Sequence, residues 1–268
     1  MFKEIKEFYI NDKKSTLIIY VILRFLVILS IIFQIIRNNW NNVFLGILTL
    51  FLFTIPYFVD KKLNISLPNA LEIIILLFIY SAQILGEIQN FYGIFKHWDT
   101  ILHTINGFLC AAVGFSLIDI LNRYEKFHIH LSPAFVALVA FCFSMTIGVL
   151  WEFFEFGADS FFNTDMQKDR VVQSISSVTL NPEGKNNPIS LDNISHTEIY
   201  SSNKNGESVV TTIENGYLDI GIKDTMKDLI VNFIGATVFS IIGLLYIKDR
   251  DEYKFAEKFI PILKKKKS

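Results

Sequence analysis

The feature that most constrains what this chain can fold into is a succession of six long apolar runs separated by polar breaks. Each run approaches the roughly 20 apolar residues with which a helix crosses the hydrocarbon core of a bilayer. Open strands cannot cross lipid, because their backbone groups would lack hydrogen-bond partners. The predicted fold class is therefore an all-α polytopic membrane protein with six transmembrane helices. The predicted spans are residues 16–36, 43–59, 70–87, 98–120, 132–154 and 229–247.

The composition agrees with a membrane protein and excludes several other classes. Charged residues make up 19% of the chain, which is below the roughly 25% of a typical soluble domain. The net charge of −1 excludes a basic nucleic-acid-binding protein, and two Cys residues are too few for a disulfide framework. We therefore expect membrane lipids, and no nucleic acid, as partners.

The distribution of Lys and Arg residues predicts the orientation of the spans. Sixteen of them fall in the N-terminal segment, the second-to-third loop, the fourth-to-fifth loop and the tail, whereas the two short loops on the other side hold only Arg37 and Lys96. Because short positive loops stay cytoplasmic, both termini are predicted to be cytoplasmic. Trp40, Trp98 and Trp151 all fall at predicted outer ends of spans, where an aromatic belt lies.

A polar insertion separates spans five and six. Two β-rich runs, residues 198–200 and 208–213, flank the segment Asn203-Lys204-Asn205-Gly206, and Asn-Gly between such runs favours a hairpin. Residues 171–180 are predicted to form another strand. We therefore expect a small β-rich outer insertion that packs on the membrane domain or meets a protein partner, because an isolated hairpin is only marginally stable.

These features predict five segments. The Lys264–Lys267 run of the last segment is expected either to contact anionic lipid or simply to fix the topology. The segments are a cytoplasmic N-terminal segment (1–15), transmembrane helices one to five (16–156), the outer insertion (157–227), helix six (228–247) and a basic cytoplasmic tail (248–268).

Ionisable residues within or beside a span are costly in lipid and are functional candidates by default. Asp99 and His103 begin span four, Glu152 and Glu155 end span five, and Asp228 begins span six. Under the predicted orientation all five lie near the outer surface. Four further residues at the same depth are assigned a peripheral role, namely Glu87, Asp159, Asp224 and Asn232.

The spacing of these residues favours a shared site. Asp99 and His103 are four apart, and Glu152 and Glu155 are three apart, so each pair shares one helix face. Carboxylates with one imidazole suit Zn²⁺, Mn²⁺ or Fe, whereas carboxylates alone suit Mg²⁺ or Ca²⁺. We predict that these four residues and Asp228 hold a divalent metal ion. Without a metal, converging carboxylates would repel each other and bind protons.

The alternative for these acids is that they simply end helices near water. Asp99 and Asp224 would then be N-terminal caps, which the helix dipole favours. Asp159 and Asp224 are expected to be solvated in either case. At the cytoplasmic ends of spans three and four, Glu72 and Asp119 are interpreted as boundary residues.

Small residues predict where the helices approach one another. Gly107 and Ala111 in span four are spaced by four, and Gly235 and Ala236 lie in span six. Such residues let helix backbones come close. Spans four, five and six are therefore expected to form the tight core that carries the acids.

Three blocks of sequence resemble the YjdF-like family of bacterial inner-membrane proteins. The resemblance covers roughly residues 70–247 and implies a polytopic plasma-membrane protein of a bacterium. It implies no activity, because the family is functionally uncharacterised. Family members join the block at Asn163–Gln167 to the block at Asp224–Leu229 by a short linker, whereas the predicted hairpin intervenes here. The blocks are Trp98–His103 with Gly107-Phe108, Trp151–Phe156 with Asp159, and Asp224–Leu229 with Gly235-Ala236, and a weaker block, Asn163–Gln167, follows the second.

The sequence leaves three kinds of function open. A metal-dependent hydrolase or transferase acting on a lipid or envelope substrate fits a metal-bound water at the predicted site, although no known catalytic motif is present. A cation transporter or proton-coupled transporter fits converging carboxylates, although no inverted repeat is visible. A structural or sensory protein fits the insertion. Whether the chain is an enzyme stays open at this point.

Overall fold

Among the residues that the structure describes, six helical segments of the computed structural model are long and apolar enough to cross a membrane, which confirms the predicted fold class. The structure describes residues 14–62, 65–123, 131–162 and 164–263. Nearly all of the predicted N-terminal segment, and the Lys264–Lys267 run, lie outside these residues. The helices are α1 (Lys14–Ile36), α2 (Trp40–Leu52), α3 (Ile55–Lys62), α4 (Asn69–Tyr80), α5 (Phe91–Ile94), α6 (Trp98–Arg123), α7 (Pro133–Phe162) and α8 (Ile222–Lys248).

The second span consists of two helices, α2 and α3, where the sequence predicted one over residues 43–59. Pro56 has no backbone N–H, and its ring crowds the carbonyl of Leu52, so the helix ends there. The N–H and the hydroxyl of Thr54 both donate to the Phe51 carbonyl, at 2.9 and 2.6 Å. These bonds satisfy one of the acceptors that the break leaves open.

The third span is regular in α4 and then widens into a π-helix, Ser81–Ile88. The chain turns after it at Asn90, whose left-handed backbone (φ 58°) Asn tolerates better than most residues. The π-helix is short and rare, and such turns often occur at functional sites. Glu87 lies in it and is exposed.

The chain divides into two compact units. The first runs to Val149 and resumes at Asp228, and the second is Leu150–Lys227. In the first unit, spans four, five and six share one apolar core that includes Ala111, Ala140 and Ala236, all fully buried. The expected tight packing of these three spans is therefore confirmed.

The tail after α8 packs back onto the first unit. A 3₁₀-helix, Lys254–Lys258, buries Ala256, and Ile260 joins the core of spans four to six. Strand β1 (Ile65–Ser66) pairs antiparallel with Ile262–Leu263. The tail therefore carries structure that its basic composition did not suggest.

The described residues of the second unit form three small antiparallel ladders. Their strands are β2 (Val171–Val172), β3 (Ile175–Ser177), β4 (Ile189–Leu191), β5 (His196–Ser202), β6 (Ser208–Glu214) and β7 (Tyr217–Leu218). The predicted hairpin is confirmed, with β5 paired to β6 and Gly206 in the left-handed region (φ 82°) at its turn. The strand predicted over residues 171–180 is shorter and divided, because β2 pairs with β7 and β3 with β4.

Candidate functional site

Asp99 and His103 lie on the first two turns of α6. Their spacing of four puts both side chains on one helix face, and the Nε2 atom of His103 is 3.3 Å from the Oδ1 atom of Asp99. The imidazole is 12% exposed and the carboxylate 27% exposed. Both groups are thus largely withdrawn from water, yet not sealed from it.

Asp228 adds a second carboxylate from a different helix. It lies near the start of α8 and is only 2% exposed. One ligand atom of each of Asp99, His103 and Asp228 lies within 4.8 Å of the other two. Metal bonds to oxygen or nitrogen of about 2.0–2.2 Å hold two ligand atoms at most about 4.4 Å apart, so small side-chain rotations bring this Asp–His–Asp trio into coordination distance.

The packing of α6 against α8 brings the trio together. A Cβ atom on Gly235 would stand 2.1 Å from the carbonyl oxygen of Thr104, and one on Gly107 would stand 2.2 Å from the carbonyl oxygen of Asn232. The two helices therefore touch backbone to backbone, which only glycine permits. Thr104 directly follows His103, so this contact sits beside the site.

Asn232 joins α8 to α7 and α6 beneath the trio. The residue is 1% exposed, and its Nδ2 atom donates to the Ser144 carbonyl at 3.5 Å and to the Met145 sulfur at 3.6 Å. The Ser144 hydroxyl in turn donates to the Gly107 carbonyl at 2.8 Å. The Oδ1 atom of Asn232 has no hydrogen-bond partner within the described part of the chain. These contacts connect α8 to α7 and, through Ser144, to α6.

The second unit holds the other two residues predicted for the metal. Glu152 and Glu155 lie on α7 and are both buried, at 5% and 8% exposure. The indole N–H of Trp151 donates to the Glu155 carboxylate at 2.8 Å. Their place in a shared site stays a prediction.

Asp159 organises the loop that follows α7. Its carboxylate accepts hydrogen bonds from the N–H groups of Met166 and Gln167, at 2.7 and 2.8 Å, and from the Thr164 hydroxyl at 2.7 Å. The Gln167 amide donates to the Thr225 hydroxyl at 2.6 Å. Three of the sequence blocks singled out above therefore meet in one hydrogen-bond network.

Asp224 is buried, so the expectation that it is solvated is wrong. It is 4% exposed, and its carboxylate contacts the Arg170 guanidinium at 2.9 Å and the Lys227 ammonium at 3.0 Å. The N–H of Lys168 also donates to it, at 3.2 Å. Arg170 was missed in the sequence because it lies far from Asp224 along the chain and belongs to no recognisable motif.

Buried acids also occur at the other ends of the spans. Glu72 and Asp119 were interpreted as boundary residues, but they are 1% and 4% exposed, and Asp60 is 2% exposed. Asp119 contacts the Arg250 guanidinium at 3.1 Å. The sequence concealed this pair, since Arg250 lies in the tail, far from Asp119 along the chain.

Comparison with known proteins places the chain among membrane proteins. A family model described as "Predicted membrane protein (DUF2238)" matches residues 17–249. A relative from Thermotoga maritima, which carries the name "Uncharacterized protein", is 28% identical over 104 residues. The match covers 39% of this chain and 52% of the relative, so the chain spans about half of that protein's length. No solved structure matches the chain.

Proposed function

Because the chain belongs to this family of predicted membrane proteins, we propose that it is a multi-pass membrane protein that binds a divalent metal ion at Asp99, His103 and Asp228. The observation that carries the proposal is the convergence of these three ligand atoms from two helices. Two carboxylates and a neutral imidazole place a charge of −2 in a largely buried site, and burying charge is costly. A divalent cation neutralises it.

The donor set indicates which metals fit. One imidazole nitrogen with two carboxylate oxygens suits Zn²⁺, Mn²⁺ or Fe²⁺ better than Ca²⁺, which takes six to eight oxygen ligands. Three protein ligands leave a coordination position open, as in catalytic zinc sites. When bound, such a metal can activate a water molecule or polarise a substrate oxygen.

Glu152 and Glu155 remain part of the predicted metal site. Two alternative functions build on the same trio. One is a metal-dependent hydrolase or transferase, and the other is a cation or proton-coupled transporter. They differ in outcome, because a hydrolase consumes a substrate whereas a transporter moves the ion itself. Metal content of Glu152→Gln and Glu155→Gln tests whether these two residues contribute.

The location is proposed to be a bacterial plasma membrane with both termini cytoplasmic. The excess of Lys and Arg in the loops and tail on one side supports this orientation, and the resemblance to the YjdF-like family supports the organism class. Thiol labelling of single Cys residues placed at Ser201 and at Lys254 in intact cells tests it. We expect labelling of Ser201→Cys and not of Lys254→Cys. Labelling of Lys254→Cys alone would show the opposite orientation.

A protein partner is proposed for the hairpin of the second unit. Ile199, Tyr200 and Val210 on β5 and β6 are 45%, 74% and 50% exposed, and exposed apolar side chains on a short two-stranded ladder favour association. Photo-crosslinking from position 200 is expected to capture a protein, and position 185 of the same unit serves as the control. Equal crosslinking yields from positions 200 and 185 would contradict this proposal.

Metal content of the purified chain tests the main proposal. The full chain is purified without chelator, dialysed, and assayed for Zn, Mn and Fe per mole of protein. We expect about one metal ion, which is lost in His103→Ala and in Asp228→Asn. His97→Ala is the matched control, because His97 lies just before α6 and is exposed.

The pattern across these variants decides the outcome. Retention of metal in His97→Ala with loss in the two site variants supports the trio. Equal metal in all four proteins, or none in the wild type after reloading with each ion in turn, overturns it. Circular dichroism of each variant separates loss of a ligand from loss of the fold.

A further inference from the structure

A groove in the first unit lies between the start of α4 and the 3₁₀-helix of the tail. Its volume is about 790 Å³. Pro68, Ile73 and Phe255 supply apolar wall, whereas Lys254 and Lys258 supply charge. Phe255 is 49% exposed, so its ring offers apolar surface to an occupant of the groove.

The groove lies where helices leave the membrane. α4 begins one candidate membrane span, Asn69–Ile88, and α8 ends another at Lys248. The tail helix that lines the groove starts only a few residues after Lys248. An occupant of this groove therefore meets both the edge of the acyl region and water, as a lipid headgroup does.

The charged side chains of the groove that make no salt bridge with described residues are the two lysines. Neither Lys254 nor Lys258 has a salt bridge with any residue that the structure describes. The acid among the lining residues, Glu257, accepts a hydrogen bond from the Tyr246 hydroxyl at 3.4 Å, and Arg250 donates to that hydroxyl at 3.3 Å. Glu257 is therefore engaged away from the two lysines.

The start of α4 adds a second source of positive potential. Pro68 is the N-cap residue and makes no side-chain capping bond, and α4 has 12 residues. The N–H groups of the first turn of a helix favour an anion, and the Glu72 carboxylate in this turn is only 1% exposed. Asn69, which opens this turn, lines the groove together with the two lysines.

We propose that this groove binds the phosphate headgroup of an anionic phospholipid. Lys254, Lys258 and the first turn of α4 face the phosphate, and Ile73 and Phe255 contact the glycerol and the first acyl carbons. The combination of cations and apolar wall at a span end matches this class of ligand better than a free phosphate, which would leave the apolar wall bare. The proposal is independent of the metal site.

Lipid binding to the full chain tests it. The protein is placed in nanodiscs of phosphatidylcholine with increasing phosphatidylglycerol, and the bound lipid is counted by native mass spectrometry after release. Each lysine near an anionic headgroup contributes about fivefold in affinity, so Lys254→Gln with Lys258→Gln is expected to weaken phosphatidylglycerol binding about 25-fold. Phosphatidylcholine binding is expected to stay unchanged.

A charge-matched pair provides the control. Lys62→Gln with Lys248→Gln removes two exposed lysines at the ends of spans outside the groove lining, and it is expected to change binding less than twofold. An equal loss in both pairs shows general attraction to an anionic surface and overturns the proposal. Displacement of the lipid by millimolar glycerol phosphate identifies a soluble phosphate as the ligand and also overturns it.

The single variants guard against a folding defect. Lys254→Gln and Lys258→Gln are each expected to weaken binding about fivefold, with thermal unfolding in zwitterionic lipid unchanged, because both side chains are exposed. Unchanged lipid binding in both single variants and in the pair contradicts the proposal.

Discussion

The carbonyl oxygen of Asn232 lies 2.2 Å from the point that a Cβ atom on Gly107 would occupy. His103 lies one helical turn before Gly107, and Asp228 lies one turn before Asn232. A close backbone contact between α6 and α8 therefore lies one turn away from His103 and Asp228, which the proposed metal site takes from these two helices. The glycine sets the distance between them.

Gly107→Ala is expected to separate the two helices and to weaken the site. The added methyl meets backbone atoms, which cannot rotate away, so the helices must shift. Such overpacking destabilises by about 1–3 kcal/mol, and movement of Asp228 away from His103 is expected to lower metal affinity. Thermal unfolding and metal content of the full chain measure the two effects.

Gly157→Ala is the matched control for that change. A Cβ atom on Gly157, which lies in helix α7, would meet nothing within 4 Å. Ala is the better helix former by about 1 kcal/mol, so this variant is expected to be neutral or slightly more stable. Equal destabilisation by both substitutions would mean that the close approach at Gly107 does not matter.

Arg250→Gln is expected to loosen the tail from the first unit. The Asp119 carboxylate is buried and loses a guanidinium partner at 3.1 Å, and a hydrogen bond to a charged group contributes about 1.5–3 kcal/mol. Asp119→Asn in the same chain is expected to recover part of the loss, since no charge is then left behind. Thermal unfolding of the two single variants and the double variant measures the coupling.

Lys248→Gln serves as the control for the tail. Lys248 is exposed at the end of α8, so its loss is expected to change stability by less than about 0.5 kcal/mol. A double variant that is as unstable as the sum of its parts contradicts a direct Asp119–Arg250 interaction.

The sequence predicted the helices well because their signal is local. Apolar length alone identified all six spans, and the i, i+4 spacing of Asp99 and His103 already fixed their shared face. Asp228 could be proposed only from depth in the membrane, because nothing local shows which helices touch. Gly107 and Gly235 carried that information, and both were recognised as residues of close approach.

The features that the sequence did not reveal depend on distant contacts. Asp224 was expected in water, but Arg170 reaches it from the far end of the insertion. Asp119 acquires Arg250 in the same way from the tail. The break in span two was readable in principle, since Pro56 removes a helix hydrogen bond, but an uninterrupted apolar run concealed it.

Arg170→Gln is expected to destabilise strand β2, the first strand of the second unit. Asp224 is 4% exposed and keeps Lys227 and the Lys168 N–H as partners after this change. Loss of one partner of a buried carboxylate is costly. Amide hydrogen exchange in Val171–Val172 is expected to rise at least tenfold, as one lost bond of about 1.4 kcal/mol implies.

Lys185→Gln tests whether that effect needs burial. Lys185 contacts Glu183 at 2.7 Å, but both side chains are about two-thirds exposed, at 67% and 65%. Exposed pairs contribute about 0–1 kcal/mol, so exchange in Val171–Val172 is expected to stay unchanged. A rise as large as that in the Arg170 variant would show that any lost ion pair loosens this unit.

Asp169→Asn is expected to stabilise the second unit at neutral pH. Partial desolvation, and after it the nearby carboxylates of Asp165 and Asp219, raise the pKa of Asp169 above its usual value. The folded unit then holds this proton more tightly than the unfolded chain does, so stability falls as pH rises from the unfolded to the folded pKa. Above that window the ionised carboxylate is unfavourable, and Asn removes the penalty.

The increase in the free energy of unfolding is expected to be below about 0.5 kcal/mol, because Asp169 is an exposed residue. It should appear as slower amide exchange in Val171–Val172 at pH 7 and vanish at pH 3, where Asp169 is protonated in both states. Asp192→Asn, an equal loss of charge at another exposed site of the unit, is expected to leave this exchange unchanged. A stabilisation by Asp169→Asn that persists at pH 3 would exclude titration of this carboxyl as its cause.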